Sequence, residues 1–125
     1  MLLFEILSDV IKIDDVLLII KNTSATSEIK SNSLTIKKRE KWITIGNNDD
    51  PAHIHLNSEM IKTIEFIQEE KLDRTSFSVR FFDLDGERVF AAFFTKMYDE
   101  HKNLKLARKK AYDDLIQRYG SIIQI

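Results

Sequence analysis

Cysteine is absent from this chain of 125 residues. A disulfide framework, a thiolate metal site and a cysteine nucleophile are therefore excluded. Glycine occurs three times and proline once, so no glycine-rich phosphate loop can be assembled. An excess of either charge is also missing: 19 basic residues face 20 acidic ones. That balance argues against a general electrostatic partner such as duplex nucleic acid. No uninterrupted apolar run approaches ~18 residues, so no membrane insertion is expected. The opening MLLFEILSDVIKIDD has neither a basic leader nor a small-residue cleavage site, and Glu5 and Asp9 interrupt it. A signal peptide is therefore not expected, and the expected location is cytoplasmic.

What is present is an ordinary globular composition, 43% apolar and 31% charged. It suits one domain, residues 1–125, large enough to bury a core without staples. Leu3, Ile6, Leu7 and Val10 recur at helical spacing and predict a short helix over 2–11. VLLII at 16–20 reads as a buried strand with helix as its competitor, and KNTSATSEIKSNS as a loop with a weak edge strand near 28–30. Alternation predicts strands over 33–37, 41–45, 53–57, 61–69, 76–82 and 88–94. Asp85-Gly86, between two β-rich runs, is the strongest hairpin signal. After Tyr98 the period changes. Leu104, Ala107, Ala111, Leu115 and Tyr119 form a helical stripe flanked by Tyr112 and Ile116, and Gly120 stands where a helix would close. The fold class is thus α+β: a large antiparallel sheet of about six to seven strands with a C-terminal α-helix packed on it.

Candidate chemistry centres on HIHLN. His53 and His55 lie two residues apart on a predicted strand, so both imidazoles project from one face. Imidazole is the commonest metal-ligating side chain, and His55 and His53 are the candidate metal ligands. A solvated polar strand face, or a pair of core histidines with hydrogen-bonded rings, explains the same pattern. His101, in YDEHKN, reads as an exposed residue ahead of a helix. Asp49 and Asp50 before Pro51 read as a turn, because no third ligand lies at suitable spacing.

The order HIHLN, then IKTIEFIQEE, then SFSVRFFDLDGERVFAAFF resembles the haem-utilisation family of HemS, ChuX and HutX proteins, over roughly residues 41–98. Its members place a His-bearing strand, a core strand and a Ser-x-x-x-Phe-Phe-Asp/Asn-x-x-Gly-x-x-x-Phe hairpin in that order. One departure is plain: where many carriers have a further histidine in a Gly-His-Gly-Phe-like setting, Lys41 and Trp42 stand here. The resemblance implies a single-repeat member, a homodimer, and haem as cofactor, carried by reversible axial coordination rather than turned over. It places His55, with His53, at the iron. A ligating imidazole must be neutral, so coordination should weaken as pH falls through the ordinary imidazole range, ~6.5. Arg80, Arg74 and Lys96 are the expected partners of the propionates, with Trp42, Phe82, Phe90, Phe94, Met97 and Tyr98 lining the slot. Two alternatives stay open: a haem-degrading enzyme of the same superfamily, and a non-haem interaction module of pleckstrin-homology-like build.

Overall fold

Alternation at period two runs through most of the chain, and strands form where it does. The computed structural model describes all residues, 1–125. In chain order its elements are α1 (Leu2–Ile11), β1 (Val16–Lys21), β2 (Thr26–Lys30), β3 (Ile36–Arg39), β4 (Trp42–Ile45), β5 (Ile54–Asn57), a 3-10 turn (Ser58–Met60), β6 (Thr63–Glu70), β7 (Thr75–Phe82), β8 (Arg88–Phe94), α2 (Leu106–Tyr119) and β9 (Ile122–Gln124). No helix is long and apolar enough to cross a membrane.

The strands make two sheets. Six of them form the larger, in the order β2-β1-β8-β7-β6-β9, and the other three form a separate sheet, β3-β4-β5. Every pairing is antiparallel. The expected large sheet with a C-terminal helix is there. The second sheet and the closing strand β9 were not legible as such. The strand expected from Ser33 begins later, at Ile36, because Ser33 has a left-handed φ of 64° and turns the chain.

Register fixes which residues form the core. Phe77 lies opposite Phe94, Val79 opposite Ala92 and Phe81 opposite Phe90, all buried. The hairpin between β7 and β8 is longer than a two-residue turn. Only Gly86 takes a positive φ, 80°, and the Asp83 carboxylate accepts the backbone N–H of Asp85 and of Glu87, each at 2.9 Å. This is a turn completed by a left-handed glycine, which leaves the ladder irregular at Phe81/Phe82.

Helix α2 packs on this apolar face through Tyr112 and Leu115, both buried. Its covering stripe is rotated from the sequence expectation: Ala107 is exposed, while Arg108 is half-buried. The reason is hydrogen bonding. The Arg108 guanidinium donates to the Thr95 carbonyl at 3.1 Å and to the Asp15 carbonyl at 3.3 Å, at the ends of β8 and β1. Burial of its stem is compatible with a charge paired to carbonyls. Helix α1 contributes Leu3, Ile6, Leu7 and Val10, fully buried, to the same continuous core that holds Ile43 and Ile45 of the small sheet. At ~1.5–3 kcal/mol for each large apolar side chain, this burial is the main favourable contribution to the fold. The apolar side of the large sheet is thus covered within one chain. Burying that face requires no second copy of the chain.

A polar clasp joins the two helices. The Asp9 carboxylate of α1 accepts from Arg118 Nη1 at 2.8 Å and from the Tyr119 hydroxyl at 2.5 Å. Burial alone would raise the Asp9 carboxyl, but the hydrogen bonds from Tyr119 and Arg118 outweigh it and hold the group below its usual range. A carboxyl depressed in the folded state stabilises above its unfolded pKa, ~3.9, and that contribution disappears as pH falls through the folded value. Asp9→Asn should therefore lower stability by about 1 kcal/mol at neutral pH. Denaturant melts should show the gap closing in acid. A gap independent of pH would assign the loss to something other than the charge.

Candidate functional site

The small sheet divides its residues cleanly by parity. Ile43, Ile45, Ile54 and Leu56 point inward and are buried. The residues between them point outward, and the ladder sets them side by side. Thr44 lies opposite His55 on one flank and Lys37 on the other, while Trp42 lies opposite Asn57 and Arg39. His55 is exposed, as is His53 just before the strand. The two rings meet edge to face, with centroids 4.9 Å apart at 73°. Thr44 Oγ1 is 3.0 Å from His55 Nδ1. With Nδ1–H donating to that hydroxyl, Nε2 carries the free lone pair and faces away from the backbone, the arrangement a metal-ligating histidine needs.

Beside these rings is an open cleft of about 770 Å³, lined by Lys37, Lys38, Arg39, Glu40, Trp42, Thr44, Asn48 and His55. Trp42 leaves 42% of its surface exposed, unusually high for an indole. It presents a flat apolar wall next to the imidazole, with Lys41 Nζ 5.9 Å from its ring centre. The turn after β4 contributes Asn48 to the cleft's lining. Asp50 closes that turn by accepting the Asn47 N–H at 2.9 Å, so this acidic residue is a turn former, as the sequence indicated.

Gly46 sets the height of the histidine strand. It ends β4 at φ +85°, and a Cβ there would lie 3.2 Å from the Ala52 carbonyl oxygen and 3.3 Å from His53 Cβ. Only glycine allows this approach without strain. Gly46→Ala should cost about 1–2 kcal/mol and displace the His53 ring. Urea melts and the imidazole proton shifts of His53 and His55 measure the two effects. Unchanged stability would show that the turn relaxes freely.

The predicted site residues fall into separate groups. His55 and Trp42 share the cleft, with His53 adjoining. Arg74 and Lys96 line a different hollow, about 200 Å³, at the ends of β7 and β8, where Lys96 pairs with Asp15 at 3.3 Å. Arg80 lies on the large sheet and pairs with Glu69 at 3.3 Å, not with Asp83 or Glu87. Its Nε also donates to Ser78 Oγ at 3.1 Å. None of these three cations lines the imidazole cleft. Of the candidates for the slot lining, Phe90, Phe94 and Met97 are core residues, and the Tyr98 hydroxyl accepts the Thr75 N–H at 2.9 Å. His101 is exposed in a turn built on Asp99. The cations that do line the imidazole cleft are Lys37, Lys38 and Arg39, with Lys37 and Arg39 on the outward face of β3. The signal that could have found them is the period of two running back through β3 from a β3–β4 turn at Glu40-Lys41.

Comparison with known proteins bears on the fold and the family. No curated protein matches the sequence. The fold is similar to that of ChuX, described as a heme binding protein, with a TM-score of 0.76 and 16% identity over 91% of this chain and 70% of that one. It is also similar to a protein from Erwinia carotovora, with a TM-score of 0.75 and 23% identity over 91% of this chain and 69% of that one. Holo-PhuS, a heme-binding protein from Pseudomonas aeruginosa, matches with a TM-score of 0.70 and 14% identity, over 89% of this chain but 31% of its own. At such identities the likeness establishes the fold alone. A family model matches residues 4–118, nearly the whole chain, and the chain belongs to the haem-utilisation family of HemS, ChuX and HutX-like proteins.

Proposed function

We propose that this protein binds haem reversibly, as a carrier, with His55 as the axial ligand and His53 beside it. The observation that carries the reading is the His55 imidazole, anchored through Nδ1 on Thr44, at the edge of a cleft walled by Trp42 and rimmed by Lys37 and Arg39. The cleft's volume, about 770 Å³, lies in the range of small-molecule sites, ~300–1,000 Å³. A neutral imidazole suits haem iron, the indole suits a flat apolar ring, and the cations suit carboxylates. When bound, the haem supplies the iron and its redox chemistry.

The chain's own contributions are positional. Thr44 holds the orientation of the His55 ring through its contact with Nδ1. Trp42 excludes water from one side, and its edge position keeps the cleft open, which favours release as well as capture. Among the cations named from sequence, Arg74, Lys96 and Arg80 lie outside this cleft, so Lys37 and Arg39 take the propionate role in this reading. Action in the cytoplasm as a homodimer completes the proposal, and sedimentation of the protein with and without hemin checks the assembly.

Titration with hemin tests the function. A shifted Soret band saturating at one equivalent per chain is expected. Its absence, or an identical titration with His55→Ala and with His53→Ala, would remove histidine coordination from the reading.

A further inference from the structure

The large sheet has a second face, which α2 leaves uncovered. Along it lie Leu17, Ile19 and Phe93, all half-exposed and cross-strand neighbours of one another or of Ala91. Two guanidiniums approach the same aromatic ring here. The Arg80 guanidinium carbon is 5.4 Å from the centre of Phe93 and that of Arg88 is 5.9 Å from it. Arg80 has a carboxylate partner in Glu69. Arg88 has none: burial, with the like charge of Arg80, pushes its guanidinium below the usual range, and no hydrogen bond opposes the shift. A half-buried guanidinium held next to another without an anion is electrostatically unfavourable in the empty protein.

The two arginines border an open hollow of about 480 Å³ whose other polar walls are Lys21, Asn22 and Thr23 at the end of β1, with Glu87 as the acidic group at its edge. Asp83, which could have neutralised Arg88 from the hairpin, is instead engaged with the backbone N–H groups of Asp85 and Glu87. Donors therefore outnumber acceptors around the hollow. None of these residues lines the imidazole cleft.

We propose that Arg80 and Arg88, with Lys21 at the rim, form a second binding site, for a small oxyanion carrying two or more negative charges. The forked donors of guanidinium match phosphoryl and carboxylate oxygens alike. Phe93 stacks beneath both forks and restricts where they can turn, so the donors are oriented before the ligand arrives. Occupancy would relieve the repulsion between the arginines, which makes ligand binding and folding stability linked quantities.

The test uses the full chain labelled for amide and side-chain NMR, titrated separately with inorganic pyrophosphate and with citrate, against sodium chloride at matched ionic strength. Saturable shifts confined to residues 21–23, 80–82 and 86–88 are expected with at least one anion, and which anion acts distinguishes phosphoryl from carboxylate ligands. Arg88→Gln should weaken that binding about tenfold or more. Arg88→Lys, which keeps the charge but loses the fork, should fall between. In anion-free buffer Arg88→Gln should melt no lower than the natural protein, since it removes a like-charge contact. At one fixed concentration the anion should raise the melting temperature of the natural protein more than that of the variant. Shifts that never saturate, that match those produced by chloride, or that saturate in Arg88→Gln at the same anion concentration as in the natural protein would overturn the proposal. The hemin titration is independent of every one of these outcomes.

Discussion

Tyr112→Ala should destabilise the protein by about 3–5 kcal/mol, the range for removing a large buried aromatic. Tyr112 is fully buried. Its ring meets Phe66, Phe77 and Phe94 edge to face, with centroids 5.7, 5.3 and 5.0 Å away. One side chain of α2 thereby touches β6, β7 and β8. Its hydroxyl donates to the Ser78 carbonyl at 2.8 Å, and burial pushes the phenol far above its ordinary pKa. Alanine would leave a cavity among three rings and an unpaired carbonyl. Tyr112→Phe keeps the rings and loses only the hydrogen bond, so it should cost about 1–2 kcal/mol. Against a total of ~5–15 kcal/mol for a domain, the alanine variant should be partly unfolded at ambient temperature. Urea melts of the pair measure the difference. Equal losses in both variants would mean that the hydroxyl, not the packing, anchors α2.

The other large effect concerns the imidazoles. His55→Ala should abolish the coordinated hemin spectrum, whereas Thr44→Val should preserve it with affinity lowered about 10–100-fold, the usual consequence of losing a partner behind a metal-ligating histidine. Thr44 is buried to 8% exposure while its partner ring is exposed. The hydroxyl is therefore a fixed post and the ring the part that responds. His53→Ala tests the division of labour. With His55 as ligand, loss of His53 should change affinity modestly through the lost edge contact. An inverted result, with His53→Ala abolishing the spectrum and His55→Ala sparing it, would reassign the ligand. Absorption and stability should be read on the same samples, since His55 sits on β5 and His53 just before it, and the inward neighbours, Ile54 and Leu56, are core residues.

Much of the fold could be read from residue order because local pattern and tertiary demand agree. The Leu3-Ile6-Leu7-Val10 stripe became α1, and Phe77, Val79 and Phe81 became the inner row of a central strand. The parity of His53 and His55 was legible for the same reason, since a pleated strand admits one answer. Failures arose where long-range contacts decide. Arg108 looks like a solvated cation in sequence, yet carbonyls contributed from residues 13 and 93 positions away draw it inward. Arg80, Arg74 and Lys96, expected beside the histidines from their place in or flanking the hairpin, do not line the imidazole cleft. Nothing local reports that the histidine strand and the hairpin belong to different sheets, because that depends on which strands pair, not on how each alternates. β9 is three residues long, too short for periodicity to register.

The two sheets share a core but no backbone ladder. Between them lie only side-chain contacts, which yield by sliding, whereas a continuous ladder would transmit any tilt of one strand to all the others. The ribbon bearing His55 is therefore mechanically insulated from the six-stranded scaffold. A change that tilts β5 therefore has no hydrogen-bonded path by which to disturb the pairing of the six-stranded sheet.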